Sequence, residues 1–170
     1  MSTDPIPEEL KKQIIEEANI AYRNSVINDA IEFGRNFNEI VIEIADEFGL
    51  TLQDLSNMTL YDQSVLSKIR KGAIDKKSAT PKPVKVFTFA IAFMMNRDQT
   101  EKIIEKCKVD LKAESASTIA VYWKIIEHQR TNSSINDWNE FLEEYNVPLL
   151  GPRSSEQKSH PKSKSHKVAS

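Results

Sequence analysis

The sequence predicts an all-α protein, and three observations carry that prediction. Apolar residues recur at intervals of three and four along almost the whole chain, no run of alternating β-branched residues occurs, and only 4 glycines interrupt 170 residues that are 39% hydrophobic. A chain of this length holds one domain, or one domain with a small appended unit and tails. The single Cys107 permits no internal disulfide and suits a reducing compartment. The opening residues MSTDPIPEEL are acidic and polar and predict no secretory signal, and the longest apolar run, 86–95, is far short of a membrane span. A cytoplasmic protein without membrane contact is expected.

Pro5 and Pro7 precede a helix that starts near Glu8 on acidic first-turn residues. Ile14, Ile15, Ala18, Ile20 and Ala21 give it a stripe, and Val26, Ile27, Ala30, Ile31 and Phe33 continue at helical spacing. The pattern leaves open one bent helix or two, and two roles: padding for the core that follows, or an arm for dimerisation. Gly34 interrupts the pattern. Phe37, Ile40, Val41, Ile44, Ala45 and Phe48 then mark an amphipathic helix whose other face carries Glu39, Glu43, Asp46 and Glu47.

Residues 49–72, GLTLQDLSNMTLYDQSVLSKIRKG, read as two short helices joined by a tight turn. Leu52, Leu55 and Met58 face inward from the first, and Val65, Leu66 and Ile69 from the second. Thr51 can cap the first helix with Asp54 three residues on, and Asp62 can cap the second. Arg70, Lys71 and Gly72 form a C-terminal stop. Burying Leu66 and Ile69 against Leu55 turns Gln63, Ser64, Ser67, Lys68 and Lys71 outward. Amides and ammonium groups on one face suit base edges in the major groove of double-stranded DNA, while hydroxyls and further ammonium groups hold phosphates. An ordinary solvated surface is the other reading of such a helix taken alone.

Residues 73–85 read as a lysine-rich loop closed by Pro81 and Pro83, with Lys76, Lys77, Lys82 and Lys85 in reach of phosphates. Residues 84–96 are apolar on nearly every side. Phe87, Ile91 and Met94 are expected to close the core under the helix pair, leaving Phe89, Phe93 and Met95 to the C-terminal helices or a second subunit. Further helices are expected over 98–107, with Ile103, Ile104 and Cys107 inward, from Ser117 through Ile126, and from Ser134 to Tyr145. From residue 152 onward no apolar periodicity remains. A disordered basic tail is expected there, adding sequence-blind DNA affinity or only solubility.

The net charge of −2 hides an asymmetry. Residues 1–59 carry four cations against twelve carboxylates, 60–86 seven against two, 87–150 seven against ten, and 151–170 five against one. Positive charge gathers on the second helix of the pair, the loop after it and the tail, which favours a polyanionic partner.

From Leu50 and Thr51 through Leu55, Ser64, Leu66, Ser67, Ile69 and Gly72, the stretch resembles the lambda-repressor-like (Cro/CI, XRE-type) helix-turn-helix family without a gap. The resemblance implies that the helix 62–71 is a recognition helix, with Gln63, Ser64 and Lys68 contacting bases. It also implies that the loop after it lies along the DNA backbone. Phosphate contacts would come from Ser67, Lys71, Lys76, Lys77 and Lys82. Leu52 stands where the family often has a phosphate-clamping Gln, Leu60 replaces a common turn Gly, and Arg70 replaces a Glu. That last exchange puts Arg70 opposite Asp46 or Glu47 with the signs swapped.

The expected organisation is therefore an N-terminal helical arm over 1–34, a helix-turn-helix DNA-binding domain over 35–96, a helical extension over 97–151 and a disordered basic tail over 152–170. Neither a phosphate loop, HExxH, CxxC nor a nucleophile elbow occurs, and two of the 3 His residues lie in the tail, so an enzyme, a cofactor and a metal site are not expected. The expected function is sequence-specific transcriptional regulation by a homodimer on double-stranded DNA. The alternative is a helical adaptor or antitoxin-like module that keeps the shape without reading sequence.

Overall fold

The computed structural model describes residues 4–75, 79–128 and 133–152. Among these residues the chain forms eight α-helices and one 3₁₀ turn, with no strand. The expectations for Lys76, Lys77 and the tail from 153 onward lie outside the described residues.

The first two apolar runs form one helix, α1, Glu8–Phe33. Its fully buried residues, Ile27, Ala30 and Ile31, all lie in its last third. Gly34 ends it with its amide on the Ala30 carbonyl at 2.8 Å, and a Cβ at this position would stand 2.7 Å from both Ala30 O and Ile40 Cγ1. Glycine is needed there because α1 and the next helix approach too closely for a side chain. That helix, α2, Phe37–Glu47, starts where Asn36 accepts the Glu39 amide, and it buries Phe37, Ile40, Val41, Ile42, Ile44 and Ala45.

Two short helices follow, α3, Leu52–Thr59, and α4, Gln63–Asp75. Thr51 and Asp54 close the expected capping box, with the Asp54 amide donating to Thr51 Oγ1 at 3.0 Å and the Thr51 amide to Asp54 Oδ2 at 2.8 Å. Leu55, Leu66 and Ile69 are buried as the spacing predicts. Each such side chain contributes roughly 1.5–3 kcal/mol by leaving water. The stop expected at Gly72 is not used, and α4 continues to Asp75. Ala73 packs against the core one residue past the glycine, and that contact offsets the helix penalty of about 1 kcal/mol for Gly.

Helix α5, Pro83–Ala92, begins with proline at its first turn, so Pro83 opens the helix instead of closing the loop. Its partners differ from those expected. Phe89 meets Phe37 at 5.6 Å and Tyr61 at 5.8 Å, under the helix pair, whereas Phe87 packs on Tyr122 and Trp123 of the C-terminal half. Phe93 and Met95 are buried within the same chain, and Met94, beyond the end of the helix at φ 58°, stays partly exposed. Helix geometry explains the exchange, because α5 lies between two layers and offers each one a different aromatic.

Helix α6, Arg97–Cys107, clamps the anchored part of α1. Gln99 Nε2 donates to Asn28 Oδ1 at 3.0 Å, and Lys106 Nζ donates to the Ile31 and Glu32 carbonyls at 2.6 and 2.9 Å. A cation thus meets the negative end of the α1 dipole. After a 3₁₀ turn at Leu111–Ala113, α7, Ala116–His128, and α8, Ile135–Glu144, complete the core. Buried hydrophobics from Ile27 to Leu150 form one continuous cluster. No helix of the described residues is long and apolar enough to cross a membrane.

Candidate nucleic-acid interface

Helix α4 sits against α2 and α3 through Leu66 and Ile69, and that anchoring determines what it shows to solvent. Gln63, Ser64, Ser67, Lys68 and Lys71 are all exposed. At 100° per residue they occupy one arc of roughly 140°, opposite the two anchors. Among the described residues neither lysine is paired with a carboxylate. This face brings together five of the eight site residues expected from sequence. Lys82 is also exposed, just before α5. Lys76 and Lys77 are not described.

The first residue of α4 is held from the neighbouring helix. Gln63 Nε2 donates to Gln53 Oε1 at 2.6 Å, and Gln53 Nε2 donates to Asn57 Oδ1 at 2.9 Å. One N–H of the Gln63 amide is used on Gln53, which leaves its other N–H and its carbonyl oxygen available. Sequence reasoning missed Gln53 and Asn57. Their signal was present as exposed polar residues four apart on α3, but nothing local tied them to Gln63.

The turn between the helices is built without glycine. Leu60 adopts φ 68°, a left-handed conformation costing about 1 kcal/mol for a side-chain-bearing residue. Its side chain packs on the core and its amide bonds to Ser56 O at 2.8 Å. Ser56 Oγ donates to Tyr61 O at 2.7 Å, and Thr59 Oγ1 both donates to Leu55 O at 2.7 Å and accepts the Tyr61 amide at 3.3 Å. The C-terminal segment closes on this turn from outside. Gly151, at φ 94°, donates its amide to Thr88 Oγ1 at 2.8 Å and lies where a Cβ would be 3.3 Å from Thr59 O. Asn139 holds Leu150 by both its amide and its carbonyl. Lys85 stands 5.5 Å from the centre of the Tyr61 ring, which places a cation beside the turn.

Arg70 Nη2 donates to Asp46 Oδ1 at 3.0 Å, the swapped ion pair expected from sequence. The pair ties α4 to α2 and uses an α2 carboxylate that would otherwise face the cationic helix. Elsewhere on α2 the negative charge is concentrated. Burial pushes the Glu43 carboxyl above its ordinary 4.5, assisted by Glu39, Asp29 and Glu47. Negative charge on that surface is unfavourable for phosphate.

Among the described residues no group of three His, Cys, Asp or Glu side chains is placed to hold a metal ion. Burial raises the Cys107 thiol above its ordinary 9.0, which leaves it protonated and a poor nucleophile at neutral pH. Glu127 is lowered by hydrogen bonds from Lys124 and Arg97, and Arg97 also lies 4.4 Å over the Trp123 ring, an arrangement that staples α6 to α7. An apolar hollow of about 360 Å³ lies among Tyr22, Phe48, Leu50, Met58, Phe93 and Met94. Comparison of the chain with protein-family models, with curated proteins and with solved structures gives no match.

Proposed function

We propose that this protein is a sequence-specific DNA-binding transcriptional regulator of the lambda-repressor-like helix-turn-helix type, acting in the cytoplasm as a homodimer and without a cofactor. The observation that carries the reading is the exposed face of α4, which gathers Gln63, Ser64, Ser67, Lys68 and Lys71 while Leu66 and Ile69 anchor the helix from behind. In this reading α4 enters the major groove. Gln63, oriented by Gln53, reads a base edge with Ser64 and Lys68, and Ser67, Lys71 and Lys82 hold phosphates, joined by Lys76 and Lys77. One such helix reads only a few base pairs, so two copies on half-sites about 34 Å apart are required for useful selectivity.

Selection from random genomic fragments at several salt concentrations tests the reading. A regulator enriches one sequence, and the double variant Gln63→Ala plus Lys68→Ala abolishes the enrichment, each base contact being worth about 1–3 kcal/mol. Enrichment unchanged by that variant refutes the assignment of α4. The rival reading is an adaptor or antitoxin-like interaction module. One observation favours it, the exposed apolar residues along the first half of α1. It predicts no selected sequence at any salt.

A further inference from the structure

The first half of α1 stands outside the body of the protein. Every residue from Glu8 through Tyr22 is exposed, and full burial begins only at Ile27. Glu8 through Ala21 make roughly 21 Å of unaccompanied helix, and Tyr22 is the first residue to meet the body, edge-on to Phe48 at 6.0 Å. A segment of that length is marginal in water unless something covers a face of it.

Part of its apolar surface lies together. Leu10, Ile14, Ala18 and Ala21 fall within roughly a quarter of the helix circumference, with Ile15 beyond one edge and Ile20 beyond the other, while Tyr22 turns edge-on to Phe48 of the body. Leu10, Ile14, Ile15 and Ile20 are 42–61% exposed. Pairing two such stripes removes on the order of 1,000 Å² from water across both copies, the size at which specific protein interfaces begin. Ala18 and Ala21, at the end of the stripe nearer the body, let two helix backbones approach closely there.

The charges on the arm weigh against an anionic occupant. Glu8, Glu9, Glu16 and Glu17 outnumber Lys11 and Lys12, so nucleic-acid phosphates and anionic bilayers are repelled. Several of these groups are already used along the helix, Lys11 on Glu8 and Gln13 on Glu17, both at 3.0 Å. A second copy of the arm presents an apolar stripe of equal length and width with both signs beside it. We infer that the α1 arms of two copies pair stripe to stripe, making a two-fold contact in which each copy uses the same patch. This pairing supplies the surface for the homodimer in the reading above and rests on that reading only for its use on DNA.

Sedimentation of the full chain, from about micromolar to hundreds of micromolar, tests the pairing. The expected result is a monomer–dimer equilibrium that Leu10→Glu plus Ile14→Glu weakens by at least about 100-fold with the Tm of the body unchanged. Lys12→Glu, on the opposite face, leaves the equilibrium in place. A chain that stays monomeric throughout overturns the inference, and so does a dimer that survives the double substitution. Co-flotation of a monomeric chain with phosphatidylglycerol vesicles overturns it in favour of a lipid surface. Gln63→Ala plus Lys68→Ala keeps the dimer while losing selected DNA, so failure of the arm and failure of α4 give different results.

Discussion

Replacing Thr88 by Val unhooks the C-terminal segment from the α3–α4 turn. Thr88 is fully buried, and its hydroxyl donates to the Val84 carbonyl at 2.7 Å and accepts the Gly151 amide at 2.8 Å. Valine keeps the shape and removes both bonds. Val84 O still has its α-helical donor, so that loss is small. Gly151 N–H is buried and loses its acceptor, which costs about 1–3 kcal/mol. A loss near 2 kcal/mol corresponds to a fall of about 4–8 °C in Tm for a chain of this length. Urea unfolding followed by circular dichroism measures it, with the slope unchanged if only stability has moved. Thr88→Ser is the comparison, since it keeps the hydroxyl and loses one methyl worth about 0.8 kcal/mol. If Val is no more damaging than Ser, the hydrogen bond to Gly151 contributes nothing and the buttressing of the turn is refuted.

Three further outcomes are expected. In a double-mutant cycle, Arg70→Asp and Asp46→Arg each destabilise while the swapped pair recovers, with a coupling of about 0.2–1 kcal/mol that shrinks in salt because both side chains are well exposed. A carboxyl raised on folding binds its proton more tightly in the folded chain, so stability falls as pH rises from the ordinary value through the folded one; Glu43→Gln therefore raises Tm slightly at neutral pH, and the gain vanishes below about pH 4. Aromatic disulfide reagents modify Cys107 slowly at pH 8 in the folded chain and rapidly in urea; equal rates refute its burial.

What the sequence made legible was local. Thr51 and Asp54 announce a helix start because capping needs only residues three apart, and the α2 stripe announces its buried face by spacing alone. A partner for Arg70 at Asp46 or Glu47 was expected from the resemblance alone, and the ion pair formed is the one to Asp46, at 3.0 Å. The misreadings all involve distant partners. Gly72 looks like a stop until Ala73 is seen against the core, and Phe89 and Phe87 exchange layers because α5 is enclosed on both sides. The Gln53 bridge to Gln63 crosses the turn, and the Gly151 bond to Thr88 spans 63 residues, so neither could be found from periodicity.

Because α1 is one uninterrupted helix from its clamped end to its tip, the azimuth of its outer stripe is a readout of chain length. Deleting a single residue between Ala21 and Ile27 would swing Leu10 and Ile14 by about 100° and draw them in by about 1.5 Å, whereas inserting seven there would restore the angle to within about 20°. Helical phase, more than composition, sets the direction in which the molecule meets whatever approaches that side.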